Sequence, residues 1–243
     1  MREASIDVGA ITANVRHLRR LINTEVIALV KADGYGHGAA RAAVAALTGG
    51  ATRLGVADIS EAIALRRAGV MAPIVAWLHA PGASFSEAAA LGVELGISSY
   101  EQLQRAAAAA TFDAPVGVHL KLETGLSRNG VAPADWAVVC AEAARLERIG
   151  KLRVIGVFSH LSNTSDEDDR TALRHFERGV SVAAGVGLNP PLRHLAATHA
   201  AIALSGDGRI AGYSLARDGR AATQIGPVVA DRADIAIALM SHA

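Results

Sequence analysis

The stretch Glu25-Val-Ile-Ala-Leu-Val-Lys31 is unbroken by any polar residue between its two charged ends. A strand with one wet face alternates apolar and polar side chains, so a continuous run belongs to a strand covered on both faces, as in a parallel sheet under helices. Similar runs recur at 54–57, 74–78, 93–97, 116–122, 154–159 and 192–196. Between them, helical spacing predicts helices over 37–47, 60–68, 100–110, 133–146 and 167–184. Residues 8–22 likewise set Ile11, Val15, Leu18 and Ile22 on one face. Ser60 with Glu61, and Asp166, are the expected N-terminal caps. Seven strands alternating with helices predict a parallel α/β fold. A closed (β/α)8 TIM-type barrel needs an eighth strand, for which 209–215 is the one weak candidate; an open doubly wound sheet is the structural alternative.

The 243 residues suit a single barrel, and a composition that is 51% hydrophobic can fill its core. The formal net charge is +1 with both signs interspersed, which gives no broad basic footprint for nucleic acid. The single cysteine, Cys140, excludes an internal disulfide framework and suits a reducing compartment. The N-terminus has no apolar core of a signal peptide, and no run of about 18 apolar residues exists for a membrane span. A soluble, cytoplasmic protein is expected. Residues 1–204 are expected to form the barrel. The pattern weakens over 205–243, an atypical tail that reads as last barrel elements or a remnant of a second domain.

Lys31 closes the first strand and precedes Ala-Asp-Gly-Tyr-Gly-His-Gly. In parallel α/β folds, chemistry gathers at the carboxyl ends of the strands. An apolar collar there disfavours the charged form of a lysine, as a Schiff-base nucleophile requires. Gly34, Gly36 and Gly38 allow a sharp turn and close approach to a ligand, and the helix that follows is expected to offer free N–H groups to an anion. On position alone, a solvent-facing lysine beside a flexible turn remains open.

The whole string from 28 to 39, ALVKADGYGHGA, resembles the pyridoxal-phosphate signature of alanine racemases. Other segments match that family in order and spacing from about residue 4 to 203. Ser5-Ile-Asp-Val-Gly-Ala-Ile-Thr-Ala-Asn-Val-Arg resembles its opening strand and helix, and Ile74-Val-Ala-Trp-Leu-His-Ala-Pro its third-strand region. Lys121-Leu-Glu-Thr-Gly-Leu-Ser-Arg-Asn-Gly, Phe158-Ser-His-Leu and Arg193-His-Leu-Ala-Ala-Thr are similar to its K-x-D-T-G-M-x-R-x-G, T/S-H-F/M and H-L-A-N-S motifs.

The resemblance implies a pyridoxal 5'-phosphate barrel that racemises alanine for D-alanine and cell-wall precursor supply, working as a homodimer. It implies that Lys31 holds the cofactor as an internal aldimine and moves a proton, and that Tyr35 bonds the cofactor phosphate. Arg128 would meet the cofactor phenolate oxygen and the substrate carboxylate, a task suited to its planar fork. His160 would lie beneath the cofactor ring, and Thr198 would stand where a serine hydroxyl binds phosphate. Lys121 is a candidate for carbamylation, with a simple ion pair to Glu123 the equal alternative. Glu123 and Leu126 replace the usual Asp and Met, and Ala197 replaces an asparagine. His37, His194 and Trp77 are read as structural, and the histidines lack metal-ligand spacing.

Two family features are at most partly matched. The R-P-G-I-x-x-Y-G segment is matched only by a contracted version around Arg209, Gly212 and Tyr213, from which no site residue is carried over. The C-terminal β-domain, whose tyrosine reaches the partner subunit's cofactor, is matched at most by a fragment over 226–232; none of Tyr35, Tyr100 and Tyr213 stands in its context. Slower racemisation than in full-length relatives is therefore expected. The alternative function is a stand-alone pyridoxal-phosphate-binding protein. A cofactor-free Schiff-base aldolase is disfavoured by the phosphate-binding turn after Lys31.

Overall fold

A computed structural model describes residues 6–21, 25–111, 114–162 and 164–196, with the backbone of two further strands at 201–204 and 210–214. Seven strands form one sheet: β1 (Ile27–Leu29), β2 (Arg53–Val56), β3 (Ile74–Ala76), β4 (Glu94–Ile97), β5 (Val116–Lys121), β6 (Leu152–His160) and β7 (Leu192–Ala196). Each pairs in parallel with its neighbours in chain order. This is the architecture of a (β/α) barrel rather than a doubly wound sheet, whose strand order reverses at a switch point. The sheet curls strongly. Trp77, just past β3, lies 5.2 Å from the His194 ring on β7. Four strand spacings would separate those strands by about 19 Å in a flat sheet.

Curling creates two buried layers. Leu54, Val56, Ile74, Leu95, Ile97, Val118 and Leu120 face outward and pack in one core with Leu65, Leu103, Trp136, Val139, Leu173 and Phe176 of the helices. Ile27, Val75 and Trp77 form a separate small cluster inside the curl. The interior also holds buried polar side chains, among them Glu94, His119 and His194.

The expected eighth strand is corrected. Residues Ile210–Ser214 are extended, as β9, but they pair antiparallel with β8 (Ala201–Leu204) outside the main sheet. Only five residues separate the two, whereas a parallel partner requires a crossover of about a dozen or more. No strand among the described residues closes the barrel. Thr198 and Ala197 lie outside the described residues.

The helix ends also differ from expectation. Asp58, not Ser60, caps the helix Ile59–Arg67: its carboxylate accepts the Glu61 N–H at 3.0 Å, and the Ser60 hydroxyl donates to the same oxygen. Ser165, not Asp166, caps Asp166–Gly185 by accepting the Asp168 N–H. A further helix spans Ser86–Ala90, whose five residues are too few to display a helical period in the sequence.

Candidate active site

Lys31 stands two residues beyond β1, at the carboxyl edge of the sheet, and is part-exposed rather than sealed in an apolar collar. Residues Lys31–Tyr35 wind into a turn in which Ala32, Asp33, Gly34 and Tyr35 all have φ between 51° and 62°. L-residues other than glycine adopt this left-handed region at a cost of roughly 1–2 kcal/mol each. Surrounding bonds hold it there. The Gly34 N–H donates to Val30 O at 2.9 Å, the Gly38 N–H to Asp33 O at 2.8 Å, and the Ala32 N–H to Glu61 Oε1 at 2.7 Å. The turn brings the Tyr35 ring under the amine, with Lys31 Nζ 5.9 Å from its centroid. Burial, and then the charge of Glu61, push the Tyr35 phenol above its usual range.

One expectation about this turn fails. The helix after it, Ala39–Gly49, does not present its first amide freely: the Asp33 carboxylate accepts the Ala39 N–H at 2.7 Å. Asp33 already supplies the negative charge that a helix N-terminus attracts.

Lys121 ends β5, only 4% exposed, and its ammonium lies 5.8 Å above the Phe158 ring. The ion pair with Glu123, one of the two alternatives read from the sequence, is not formed; Nζ donates to Asn129 Oδ1. Asn129 is delivered by a loop folded back on the strand end. The Val131 N–H donates to Lys121 O, the Glu123 N–H donates to Val131 O, and Ser159 ties Leu122 O to β6. Burial, followed by the nearby charge of Arg128, pushes Lys121 down to about 8. Arg128, on the same loop, is exposed at the mouth.

His160 ends β6, with Nδ1 2.7 Å from Leu161 O. It is pushed down to about 4, first by burial and then by the positive charges of Arg128, Lys121 and Lys31. The structure therefore brings Lys31, Tyr35, Lys121, Arg128 and His160 to one sheet edge, where three cations face one neutral imidazole. Among the described residues, none of the three forms an ion pair. Unpaired converging cations are an electrostatic demand for anionic oxygens. Phosphate, phenolate and carboxylate groups fit it, and a half-exposed primary amine beside them fits an aldehyde.

Sequence reading passed over several residues that build this edge. Glu61, Asp33 and Asn129 act through backbone or side-chain bonds across the fold, which no local spacing reveals. His194, read as structural, proves to be one end of a buried hydrogen-bonded chain.

Comparison with known proteins agrees with this geometry. The family model for the alanine racemase N-terminal domain matches residues 6–226. The chain is 44% identical to the alanine racemase of Thermobifida fusca over 93% of its own length and 61% of that relative's. It is 39% identical to that of Salinispora arenicola over 99% and 65%. It thus spans about three-fifths of the length of the curated relatives it matches. Among solved structures, the alanine racemase of D-cycloserine-producing Streptomyces lavendulae superposes with a TM-score of 0.75 at 38% identity, over 79% of this chain and 51% of that one. The Streptomyces coelicolor enzyme superposes with 0.74 at 39%, over 79% and 52%. A parallel curled sheet with a lysine at the end of its first strand, matched by sequence and by structure across most of its length, places this chain in the alanine racemase N-terminal domain family.

Proposed function

We propose that this chain is the cofactor-holding part of an alanine racemase, with Lys31 as the amine that carries pyridoxal 5'-phosphate. The family depends on that cofactor. When bound, it supplies the electron sink that acidifies the substrate Cα–H. The observation that carries the reading is the gathering of Lys31, Lys121 and Arg128 near His160 at one sheet edge, none of the three in an ion pair among the described residues.

Each residue then has a role that its surroundings support. Lys31 would hold the cofactor through its Nζ, and the same amine would be placed to take or return a substrate proton on one face. Tyr35, held beneath Lys31 by the left-handed turn, offers its hydroxyl to phosphate. Arg128 would meet the cofactor phenolate oxygen and the alanine carboxylate with its planar fork. His160, uncharged across the neutral range, would lie beneath the cofactor ring without adding a fourth positive charge. Thr198 is assigned to the phosphate by resemblance alone. Lys121 has a larger neutral fraction at neutral pH than an ordinary lysine, which favours its carbamylation. Homodimerisation and a cytoplasmic setting are further parts of the reading and rest on the family resemblance; sedimentation tests the first.

The racemisation step is tested by supplying the purified chain with cofactor and each alanine enantiomer in turn. The expected result is interconversion slower than in full-length relatives and abolished in Lys31→Ala. The relatives' remaining two-fifths is where the resemblance puts the second proton donor. Stable cofactor binding without turnover selects the carrier alternative. Neither binding nor turnover overturns both.

A further inference from the structure

A polar chain crosses the inside of the curl. Arg53 of β2 donates Nη1 to both oxygens of Glu94 on β4, at 2.6 and 2.8 Å. Glu94 Oε2 lies 2.9 Å from His119 Nε2 on β5, and His119 Nδ1 lies 3.1 Å from His194 Nε2 on β7. His119 is 0% exposed and His194 5%. Gly156 on β6 makes the meeting of the imidazoles feasible, since a Cβ there would stand 2.4 Å from His119 Nδ1 and 3.2 Å from His194 Nε2.

The protons in this chain follow from its ends. A guanidinium only donates, so both Glu94 oxygens accept, and His119 Nε2 must carry the hydrogen that faces them. In a neutral imidazole the other nitrogen is then bare. His119 Nδ1 therefore accepts, His194 Nε2 donates, and His194 Nδ1 is left bare; among the described residues no donor meets it. Neutrality of the rings follows from charge balance. Arg53 and Glu94 already cancel, and a third charge in the interior would be uncompensated. Burial accordingly holds both imidazoles below their usual range. Were His119 charged, its Nδ1–H would donate instead and push the His194 proton onto Nδ1.

We propose that Glu94, acting through His119, is a positioning residue that fixes the tautomer of His194, so that the barrel interior offers an acceptor at His194 Nδ1 and selects an N–H or O–H donor there. His194 adjoins the cationic edge: its ring stacks on Phe158 at 4.9 Å and 10°, and Lys121 Nζ sits over that same Phe158 ring. The proposal rests on the function proposed above only for what the selected donor serves, not for the tautomers themselves.

Nitrogen-15 NMR of histidine-labelled, cofactor-free chain tests it. Two-bond proton–nitrogen correlations are expected to show both rings protonated at Nε2 and unchanging around neutral pH. In Glu94→Gln, the single amide oxygen stays with Arg53 and the NH2 group turns to His119. Both tautomers then flip, and His194 Nδ1 moves from a pyridine-like to a pyrrole-like shift. The proposal is overturned by a wild-type His194 protonated at Nδ1, by charged rings, or by a folded Glu94→Gln variant with unchanged tautomers. Should that variant fail to fold, the wild-type spectrum decides alone. Because no cofactor is present, a negative result here is separable from failure of Lys31 to bind it.

Discussion

Glu61 accepts the backbone N–H of Ala32, the neighbour of Lys31, at 2.7 Å through Oε1, and through Oε2 it accepts that of Ala57 at the same distance. One carboxylate thereby fastens the turn after β1 to the segment after β2. Charge-assisted bonds of this kind contribute about 1.5–3 kcal/mol each when buried and less when part-exposed, as here. Glu61→Ala is expected to lower stability by about 2 kcal/mol in urea unfolding and to weaken pyridoxal-phosphate retention on dialysis about tenfold. Unchanged retention would show that the turn keeps its form without the clamp.

The left-handed turn predicts an unusual pair of glycine substitutions. Ala32 has φ 51° and gains nothing from its methyl group, so Ala32→Gly is expected to stabilise the chain by about 1 kcal/mol. Asp33 has φ 53° but also caps Ala39, so Asp33→Gly relieves strain while losing about 1 kcal/mol of capping, with little net change. Asp33→Ala loses the cap and keeps the strain. Thermal unfolding should therefore rank Ala32→Gly above wild type and Asp33→Ala below Asp33→Gly.

Acid sensitivity has an identifiable source in His160. Its pKa is lowered from the ordinary 6.5 to about 4 in the folded state. As pH falls from 6.5 to 4 the unfolded chain takes up a proton that the folded chain refuses, so stability drops across that window, by up to about 3 kcal/mol. His160→Gln is expected to flatten the stability profile there. An unaltered slope between those values would contradict a neutral, part-buried His160.

Lys121 acts with the same sign in an alkaline window. Its folded pKa of about 8 lies below the ordinary 10.5, so the unfolded chain binds more protons between those values and stability rises as pH climbs through them. Lys121→Met should abolish that rise. The same lowered pKa leaves a reactive amine near neutrality, and carbon-13 bicarbonate should yield a carbamate signal that Lys121→Met lacks. Asn129→Ala, which removes the bond partner of the amine, is expected to alter the extent of that signal.

What the residues revealed on their own was periodicity and motif. The continuous apolar runs located all seven parallel strands, because burial on both faces writes itself into sequence, and the string from 28 to 39 marked Lys31. Pairing direction was less legible: 209–215 shows strand composition, but only its short separation from 201–204 dictates an antiparallel hairpin. Caps were misplaced by one or two residues at Asp58 and Ser165, since several adjacent side chains could serve. The interior chain through Glu94 and His119 is visible in the sequence as polar residues inside apolar runs, at Val93-Glu94-Leu95 and Val118-His119-Leu120. That Lys121 bonds Asn129 rather than Glu123 depends on how a loop folds back, which no local pattern encodes.

The central claim is that Lys31 is the amine that holds the cofactor. Purified chain incubated with pyridoxal phosphate, dialysed, reduced with borohydride and digested for mass spectrometry tests it directly. The expected result is a yellow protein, bleached on reduction, with the added mass on the peptide containing Lys31 and absent from Lys31→Ala. Stable labelling of Lys121 or of surface lysines in place of Lys31 would contradict the account.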